Sequence, residues 1–169
     1  MKDGVKGNRT SILFVCYGNS CRSQMAEALA HKLGHGKVRA FSAGTHPLGV
    51  ISTNTRLVLT EKRLSLAGHW SKGLEDVPLS KMDIVVEMGH GVKCRLPADF
   101  KGRLIRWHIP DPYLLEKDYF RDVRDMIERE VRGLLADLAR EPESPQSAKS
   151  KFEDRHSKLE GGERARKSG

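Results

Sequence analysis

The sequence predicts an α/β fold with three layers, in which a four-stranded, mostly parallel sheet lies between helices on both faces. Four short apolar runs alternate along the chain with stretches that have helical hydrophobic spacing. Alternation of this kind is typical of parallel strands joined by helical crossovers, which place helices on both faces of the sheet. The chain has 169 residues, enough for one domain with a substantial core.

The four predicted strands are the apolar runs at residues 11–15, 38–41, 83–88 and 104–109. The first run reads SILFV and the third DIVVEM, which is the continuous apolar pattern of strands buried on both faces. In open α/β sheets, ligands bind beyond the carboxyl ends of the strands. Cys16 directly follows the first predicted strand, so we expect it at the ligand-binding edge of the sheet.

Three helices are predicted between and after these strands. The first begins after Arg22 and ends at Gly34, a residue that commonly stops a helix. The second covers residues 51–66, and the longest covers residues 119–138 with a single apolar stripe.

The two ends of the chain differ in composition from its middle. Residues 1–10 contain almost no large apolar side chain, and residues 141–169 mix Pro, Ser, Gly and charges of both signs. Such segments cannot bury enough surface to offset the entropy lost on ordering. We therefore predict a catalytic domain at 11–140, a disordered N-terminal segment and a flexible C-terminal tail.

Charge and cysteine content limit the classes of function. The formal net charge is +8, yet no basic run with interleaved aromatic residues is present, so we do not expect nucleic-acid binding. Three cysteines, an odd number, argue against a secreted disulfide scaffold. No signal peptide opens the chain and no apolar run approaches the ~20 residues that span a bilayer. These features predict a cytoplasmic protein with reduced thiols and no membrane span.

The segment between the first strand and the first helix, residues 16–23, has the pattern C-x5-R-S. A short loop that wraps around a point directs several backbone N–H groups inward, and the helix adds its positive N-terminal end. Gly18 and Asn19 accept the left-handed backbone angles that such a wrap requires. Arg22 can bind two oxygens with its planar guanidinium. The loop therefore predicts a cradle for a tetrahedral oxyanion.

Cys16 would lie at the base of this cradle. A helix N-terminus and a nearby cation favour the thiolate, the nucleophilic form of the side chain. Ser23 could stabilise that thiolate with a hydrogen bond. Two alternatives are weaker: Cys16 as a buried small hydrophobe, and zinc binding by Cys16 and Cys21. A zinc site would need a second pair of ligands at metal spacing, which the sequence lacks, so we expect no metal and no cofactor.

A general acid for this chemistry is predicted at Asp111. Transfer of a phosphoryl group to a thiolate needs a proton for the departing oxygen. Asp111 follows the fourth strand between two prolines, which stiffen the loop and fix the direction of the carboxylate. Burial against Tyr113 would favour the protonated carboxyl. An ordinary Asp-Pro turn is the alternative for this segment taken alone.

The motifs VCYGNSCRSQMAE and DPY resemble those of the low-molecular-weight protein tyrosine phosphatases and the related thiol-dependent arsenate reductases. SAGT at 42–45 and GH at 68–69 also match, and the resemblance covers about residues 11–138 in element order. It implies the same α/β fold. It also implies hydrolysis of phosphotyrosine or related aryl phosphates through a phosphocysteine.

The resemblance implies that Cys16 is the nucleophile, Arg22 the phosphate binder and Asp111 the acid and then the base. Ser23 would tune the thiolate. Cys21 matches the second loop cysteine of the family, which can trap an oxidised nucleophile as a reversible disulfide.

Further roles are implied around the loop. Asn19, Ser42 and His69 would form a polar network that holds it, and Tyr17 and Tyr113 would line the pocket mouth. The substrate-binding set expected on this basis is Tyr17, Gly18, Asn19, Ser20, Cys21, Ser23 and Tyr113.

Two other functions stay open from the sequence. The loop interior looks more like the arsenate reductase branch, which also needs a thiol relay from a segment after the third strand. Cys94 is the only cysteine there, so a full relay needs Cys94 to act twice or Cys21 to be recruited. The ordinary interpretation of Cys94 is a half-buried thiol. The second alternative is a non-catalytic phosphate-binding regulatory module. The expected ligands are a phosphorylated protein or small aryl phosphate, and oxyanions such as phosphate, sulfate or arsenate. We expect a monomer or weak dimer.

Overall fold

The computed structural model describes residues 9–141. The predictions for the N-terminal segment and the C-terminal tail lie almost wholly outside these residues, and the domain boundaries stay predictions. The main elements are β1 (Thr10–Cys16), α1 (Arg22–Leu33), β2 (Val38–Gly44), α2 (Thr53–Glu61), β3 (Ile84–Met88), β4 (Arg103–Trp107) and α3 (Lys117–Arg140).

The four strands form one sheet in the order β2-β1-β3-β4, and every neighbouring pair is parallel. The predicted α/β class and the four-stranded parallel sheet are confirmed. β1 lies inside the sheet, and its residues from Ser11 to Cys16 are all buried, as its apolar sequence requires. The pairing of Cys16 with Gly44 brings the carboxyl ends of β1 and β2 together.

One face of the sheet carries an apolar cluster covered by short helices and loops. Single-turn 3-10 helices at Leu74–Asp76 and Leu79–Lys81 lie between α2 and β3. Side chains from the strands meet side chains from this connection and from the segment after β3. The buried members of the cluster are Leu13, Val15, Ala43, Val77, Met82, Val85 and Val92.

A buried arginine joins helices α2 and α3. Arg124 in α3 is 6% exposed and donates from Nη1 to the main-chain oxygen of Val58 in α2, at 2.8 Å. The same Nη1 lies 3.1 Å from Glu61 Oε2. Buried guanidinium groups need such partners, because an unpaired buried charge is costly.

α2 is shorter than predicted. It ends at Glu61, whereas the helical spacing predicted a helix to residue 66. Arg63 has a φ of +57°, and the N–H of Leu64 donates to the main-chain oxygen of Leu59. A left-handed residue with this bond is a common helix termination. β4 is also displaced by one residue at its start and ends at Trp107 rather than 109.

Contacts within the chain divide it into two units, Met1–Leu135 and Ala136–Gly169. The first unit contains the sheet. The described residues of the second are the end of α3, to Arg140, and Glu141. Among the described residues, no helix combines the length and the apolar character needed to cross a membrane.

Candidate active site

A pocket opens where β1 gives way to α1, at the carboxyl edge of the sheet. The loop of residues 17–21 forms its base, and the segments around residues 48 and 111–113 form its walls. The pocket is lined by Cys16, Tyr17, Gly18, Ser20, Cys21, Arg22, Leu48, Asp111 and Tyr113. The structure therefore brings together the three predicted catalytic residues from β1, α1 and the loop after β4.

In this loop the backbone carbonyl oxygens accept hydrogen bonds, whereas the N–H groups point to no acceptor within the described residues. Segment 45–52 runs beside the loop and donates four backbone hydrogen bonds to its carbonyl oxygens. The donor and acceptor pairs are Thr45 to Cys16, His46 to Tyr17, Leu48 to Gly18 and Ser52 to Ser20, at 2.8–3.2 Å. Within residues 9–141, the N–H groups of residues 17–21 have no acceptor. A run of unpaired N–H groups at a helix N-terminus is a binding site for anions.

Asn19 fixes the shape of the loop. Its φ is +45°, and its side chain is fully buried. The Lys72 backbone N–H donates to Asn19 Oδ1 at 2.8 Å, which defines the orientation of the amide. Asn19 Nδ2 therefore donates to Ser23 Oγ at 2.8 Å and to Ser42 Oγ at 2.9 Å.

This arrangement leaves Ser23 able to donate a hydrogen bond to the cysteine. Ser23 Oγ lies 3.0 Å from Cys16 Sγ. Because Ser23 already accepts a hydrogen bond from Asn19, its own hydroxyl hydrogen is available to the sulfur. A hydroxyl that donates to sulfur stabilises the thiolate over the thiol. The expected contact of Ser23 with Cys16 is thus present.

A second set of polar residues supports this network, and sequence reasoning missed its central members. Ser42 Oγ donates to Glu27 Oε2 at 2.5 Å. Lys72 Nζ lies 3.7 Å from the same oxygen. Glu27 interrupts an apolar stretch of α1 and is only 9% exposed. A glutamate among buried alanine and leucine positions was the one sequence signal that could have identified it.

His69 reaches the loop through Gln24 rather than directly. Gln24 Nε2 donates to Asn19 Oδ1 and to the Trp70 main-chain oxygen, both at 2.9 Å, so its Oε1 is the acceptor. His69 Nδ1 lies 2.9 Å from that Oε1 and therefore carries the hydrogen. Burial lowers the pKa of His69, with the Glu27 carboxylate opposing this effect.

Arg22 is buried at the base of the pocket, with 5% exposure. Its Nη2 lies 2.6 Å from Asp111 Oδ2, and its Nη1 donates to the Ile109 main-chain oxygen at 3.3 Å. Its Nε is buried without a hydrogen-bond partner in the described part of the chain. Gly89, which the sequence did not single out, lies against this guanidinium. A Cβ at Gly89 would be 2.1 Å from Arg22 Nη1.

Asp111 is more exposed than predicted. Its side chain is 48% exposed, so Tyr113 does not bury the carboxylate. The backbone N–H of Tyr113 instead donates to Asp111 Oδ1 at 3.1 Å. This bond and the ion pair to Arg22 together fix the direction of the carboxylate.

The pocket mouth is aromatic and aliphatic. Tyr17 stacks on His46 with ring centroids 4.6 Å apart. Leu48 packs closely on Gly18, where a Cβ would lie 2.8 Å from Leu48 Cγ. A larger residue at position 18 would therefore push against the pocket wall.

The two other cysteines lie in different surroundings. Cys21 lines the pocket but is 4% exposed, and burial raises its pKa to about 11. Cys94 packs against the apolar cluster of the sheet and does not line the pocket. Burial and the neighbouring Glu87 raise the pKa of Cys94 to about 11 as well. At neutral pH both side chains are thiols.

The fold and the loop define an α/β protein with a cysteine at a pocket whose base carries unpaired backbone N–H groups within residues 9–141, and the family follows from comparison with known proteins. The model of the low molecular weight phosphotyrosine protein phosphatase family matches residues 11–144. The chain belongs to this family, which confirms the resemblance in its motifs.

Relatives in this family include both reductases and phosphatases. The chain is 33% identical over 131 residues to a glutaredoxin arsenate reductase of Synechocystis sp., covering 76% of this chain and 98% of the relative. A solved arsenate reductase in the phosphate binding state is 31% identical with a TM-score of 0.68, covering 76% and 98% of the two chains. The YwlE arginine phosphatase from Geobacillus stearothermophilus is 28% identical with a TM-score of 0.68, covering 77% and 93%.

Proposed function

We propose that this protein hydrolyses phosphotyrosine or related aryl phosphate monoesters through a phosphocysteine at Cys16. One observation carries the proposal: Cys16, Arg22 and Asp111 line the same pocket, whose base is a row of unpaired backbone N–H groups. A nucleophile, an anion binder and an acid in one pocket are the groups that phosphoryl transfer to a thiolate requires.

In the first step, the Cys16 thiolate attacks phosphorus while the bond from phosphorus to the aryl oxygen breaks. The loop N–H groups and Arg22 bind the three other phosphoryl oxygens and stabilise the charge on them in the transition state. Asp111, in its protonated form, gives its proton to the departing oxygen. The products of this step are the phenol and the phosphocysteine.

In the second step, the Asp111 carboxylate accepts a proton from water as the water oxygen attacks phosphorus. The sulfur–phosphorus bond breaks, inorganic phosphate forms, and the sulfur leaves as a thiolate. Ser23 donates to that sulfur and so makes it a better leaving group.

Substrate binding would rearrange the ion pair between Arg22 and Asp111. In this structure, Asp111 Oδ2 accepts a hydrogen bond from Arg22 Nη2. A phosphoryl group brings two negative charges and oxygens that match the guanidinium fork. The phosphate would therefore take over Arg22, and Asp111 would turn toward the leaving group that enters between Tyr17 and Tyr113.

The second candidate is arsenate reduction, which the names of several relatives favour. Arsenate is also a tetrahedral oxyanion and would bind to the same N–H groups. Reduction to arsenite needs two electrons, so a second thiol must attack Cys16 Sγ and leave a disulfide as arsenite departs. Cys94 is packed against the apolar cluster and protonated, which disfavours it as that thiol without a rearrangement of its segment.

One experiment separates these functions. Wild type, Cys16→Ser and Cys94→Ser are assayed in parallel for aryl phosphate hydrolysis and for arsenate reduction with added thiol reductant. We expect hydrolysis in wild type and Cys94→Ser, and none in Cys16→Ser. Reduction that depends on Cys94, without hydrolysis, would establish the reductase instead. Phosphopeptide binding without turnover at any pH would establish a non-catalytic module. The cytoplasmic location and the monomeric or weakly dimeric state stay predictions.

A further inference from the structure

Leu114, which directly follows the pocket residue Tyr113, has a backbone conformation that leucine rarely adopts. Its φ is +65°, in the left-handed region. Three other non-glycine residues in the described part of the chain have positive φ. His35 and Arg63 follow the ends of α1 and α2, where this conformation is common, and Asn19 shapes the loop. Leu114 is the one that neither ends a helix nor is of a residue type suited to this region.

Leucine is an unfavourable residue at the position that Leu114 has in its turn. The backbone N–H of Leu115 donates to the Pro112 main-chain oxygen at 2.9 Å, which closes a four-residue turn with Leu114 at its third position. Glycine and asparagine are favoured where that position has positive φ. The Leu114 side chain is 85% exposed, so it contributes almost nothing to the core. Neither the backbone nor core packing accounts for a leucine here.

Leu114 belongs to a group of exposed apolar side chains around the pocket. Most of them belong to segment 45–52, which donates hydrogen bonds to the loop carbonyls, or to the turn after Asp111. We call this group the apolar rim, and its members are Tyr17, Leu48, Val50, Tyr113, Leu114 and Leu115. Tyr17, Leu48 and Tyr113 also line the pocket, so the rim is continuous with it. Asn54 Nδ2 donates to the Leu115 main-chain oxygen at 3.4 Å and connects the turn to α2.

We propose that Leu114 and the apolar rim select a phosphorylated protein segment with large apolar side chains beside the phosphorylated residue. This inference rests on the proposed function and names its substrate class. The pocket holds the phosphoryl group and the ring, and flanking residues of a polypeptide then lie over the rim. An apolar flanking side chain loses contact with water against Leu114, which favours its binding. A small aryl phosphate has no such flank and gains nothing from Leu114.

The test compares two phosphotyrosine peptides and a small aryl phosphate on wild type and Leu114→Asn. The peptides differ only in the residues directly before and after phosphotyrosine, which are leucine in one and serine in the other. Asparagine accepts positive φ, so the turn and its stability are kept. We expect wild type to favour the leucine peptide about tenfold in kcat/KM, the size expected for partial burial of one leucine. Leu114→Asn should reduce that preference to about twofold or less.

Leu104→Thr is the matched control, because it removes an exposed leucine from β4, outside the apolar rim. It should keep the full preference for the leucine peptide. Equal kcat/KM for the two peptides in wild type, or an unchanged preference in Leu114→Asn, would overturn the proposal. A concentration-dependent dimer that Leu114→Asn dissociates, without a change in peptide preference, would assign the rim to a second copy of the chain and also overturn it.

A binding measurement separates this proposal from the proposed function. Cys16→Ser is titrated with both peptides by calorimetry, which requires no turnover. A preference for the leucine peptide that Leu114→Asn removes in this background supports the rim, even if wild type hydrolyses neither peptide. Hydrolysis of the small aryl phosphate with no preference between peptides, in either assay, would overturn the rim proposal and leave the phosphatase intact.

Discussion

Arg22 and Asp111 form an ion pair across the pocket, with Arg22 Nη2 2.6 Å from Asp111 Oδ2. The expected anion binder and the expected acid are therefore paired with one another in this structure. Under the proposed function, a phosphoryl substrate would displace the carboxylate from the guanidinium, and this exchange would move Asp111 toward the leaving group. The pair would then link substrate binding to the positioning of the acid.

Asp111→Asn should lower kcat about 10²–10⁴-fold, the usual contribution of a general acid. KM should stay level or fall, because asparagine competes less well than a carboxylate for Arg22. Steady-state kinetics on an aryl phosphate measures both constants. As a control, a substrate whose phenol is strongly acidic should lose much less kcat/KM, which reports the first step, since its leaving oxygen needs no proton. An equal loss of kcat/KM on both substrates would contradict the role of acid.

Arg22→Lys should lower kcat/KM about 10²–10³-fold, comparable to removal of one transition-state donor in other enzymes. Lysine keeps the charge but cannot donate two parallel hydrogen bonds to two phosphoryl oxygens. The loss should appear in kcat/KM for hydrolysis and in the affinity for inorganic phosphate as a competitive inhibitor. Activity within about threefold of wild type would show that charge alone suffices, against the bidentate contact.

Gly89→Ala should displace the Arg22 guanidinium, because the new Cβ would lie 2.1 Å from Arg22 Nη1. Gly91→Ala is the matched control: Gly91 also has positive φ, at +74°, but its Cβ would meet nothing within 4 Å. Both variants bear a backbone cost for alanine at positive φ, about 1–3 kcal/mol, and the cost is larger at Gly89, whose φ is +116°; the comparison therefore uses phosphate inhibition rather than stability. We expect only Gly89→Ala to weaken phosphate inhibition strongly. Similar inhibition constants in the two variants would show that Arg22 adjusts without loss.

The pH dependence of stability should carry a contribution from His69. Burial lowers the pKa of His69 in the folded protein below its ordinary 6.5, so the unfolded chain binds more protons as pH falls through that value. The contribution is present above pH ~6.5 and is lost as pH falls toward the folded pKa. Chemical denaturation at several pH values should show this fall in wild type.

His69→Gln provides the comparison for this pH effect, because glutamine can still donate to Gln24 Oε1 without titrating. It should flatten the fall in stability between about pH 7 and pH 5. His108→Gln changes an exposed histidine and should leave the fall unchanged. If the stability of His69→Gln falls with pH as much as that of wild type, other groups cause the pH dependence of stability.

The sequence predicted the sheet and the loop because their signals are local. Each strand is a short apolar run. The residues that identify the loop lie at most seven positions apart, from Cys16 to Ser23. The end of α2 was predicted too late because helical spacing continues past Arg63, whose backbone has a left-handed φ of +57°. Helix propensity does not predict a left-handed conformation at a single arginine.

The support around the loop could not be predicted because its contacts cross large distances in sequence. Gln24 and His69 are 45 residues apart, and Asn19 and the Lys72 N–H are 53 apart. Gly89 meets Arg22 only because β1 and β3 are neighbours in the sheet. Asp111 was expected to be buried, but its carboxylate is about half exposed and is bound by the backbone N–H of Tyr113, a contact that sequence spacing does not reveal.

The four hydrogen bonds from segment 45–52 to the loop carbonyls have a consequence for turnover. Because these bonds already order the loop backbone, the protein would lose little chain entropy when an oxyanion binds there, and substrate and free phosphate would share this advantage. Under the proposed function, phosphate released by hydrolysis would therefore stay bound to the loop. We expect competitive inhibition by inorganic phosphate, so that the rate in a phosphate-rich medium depends on the share of protein molecules whose loop holds phosphate.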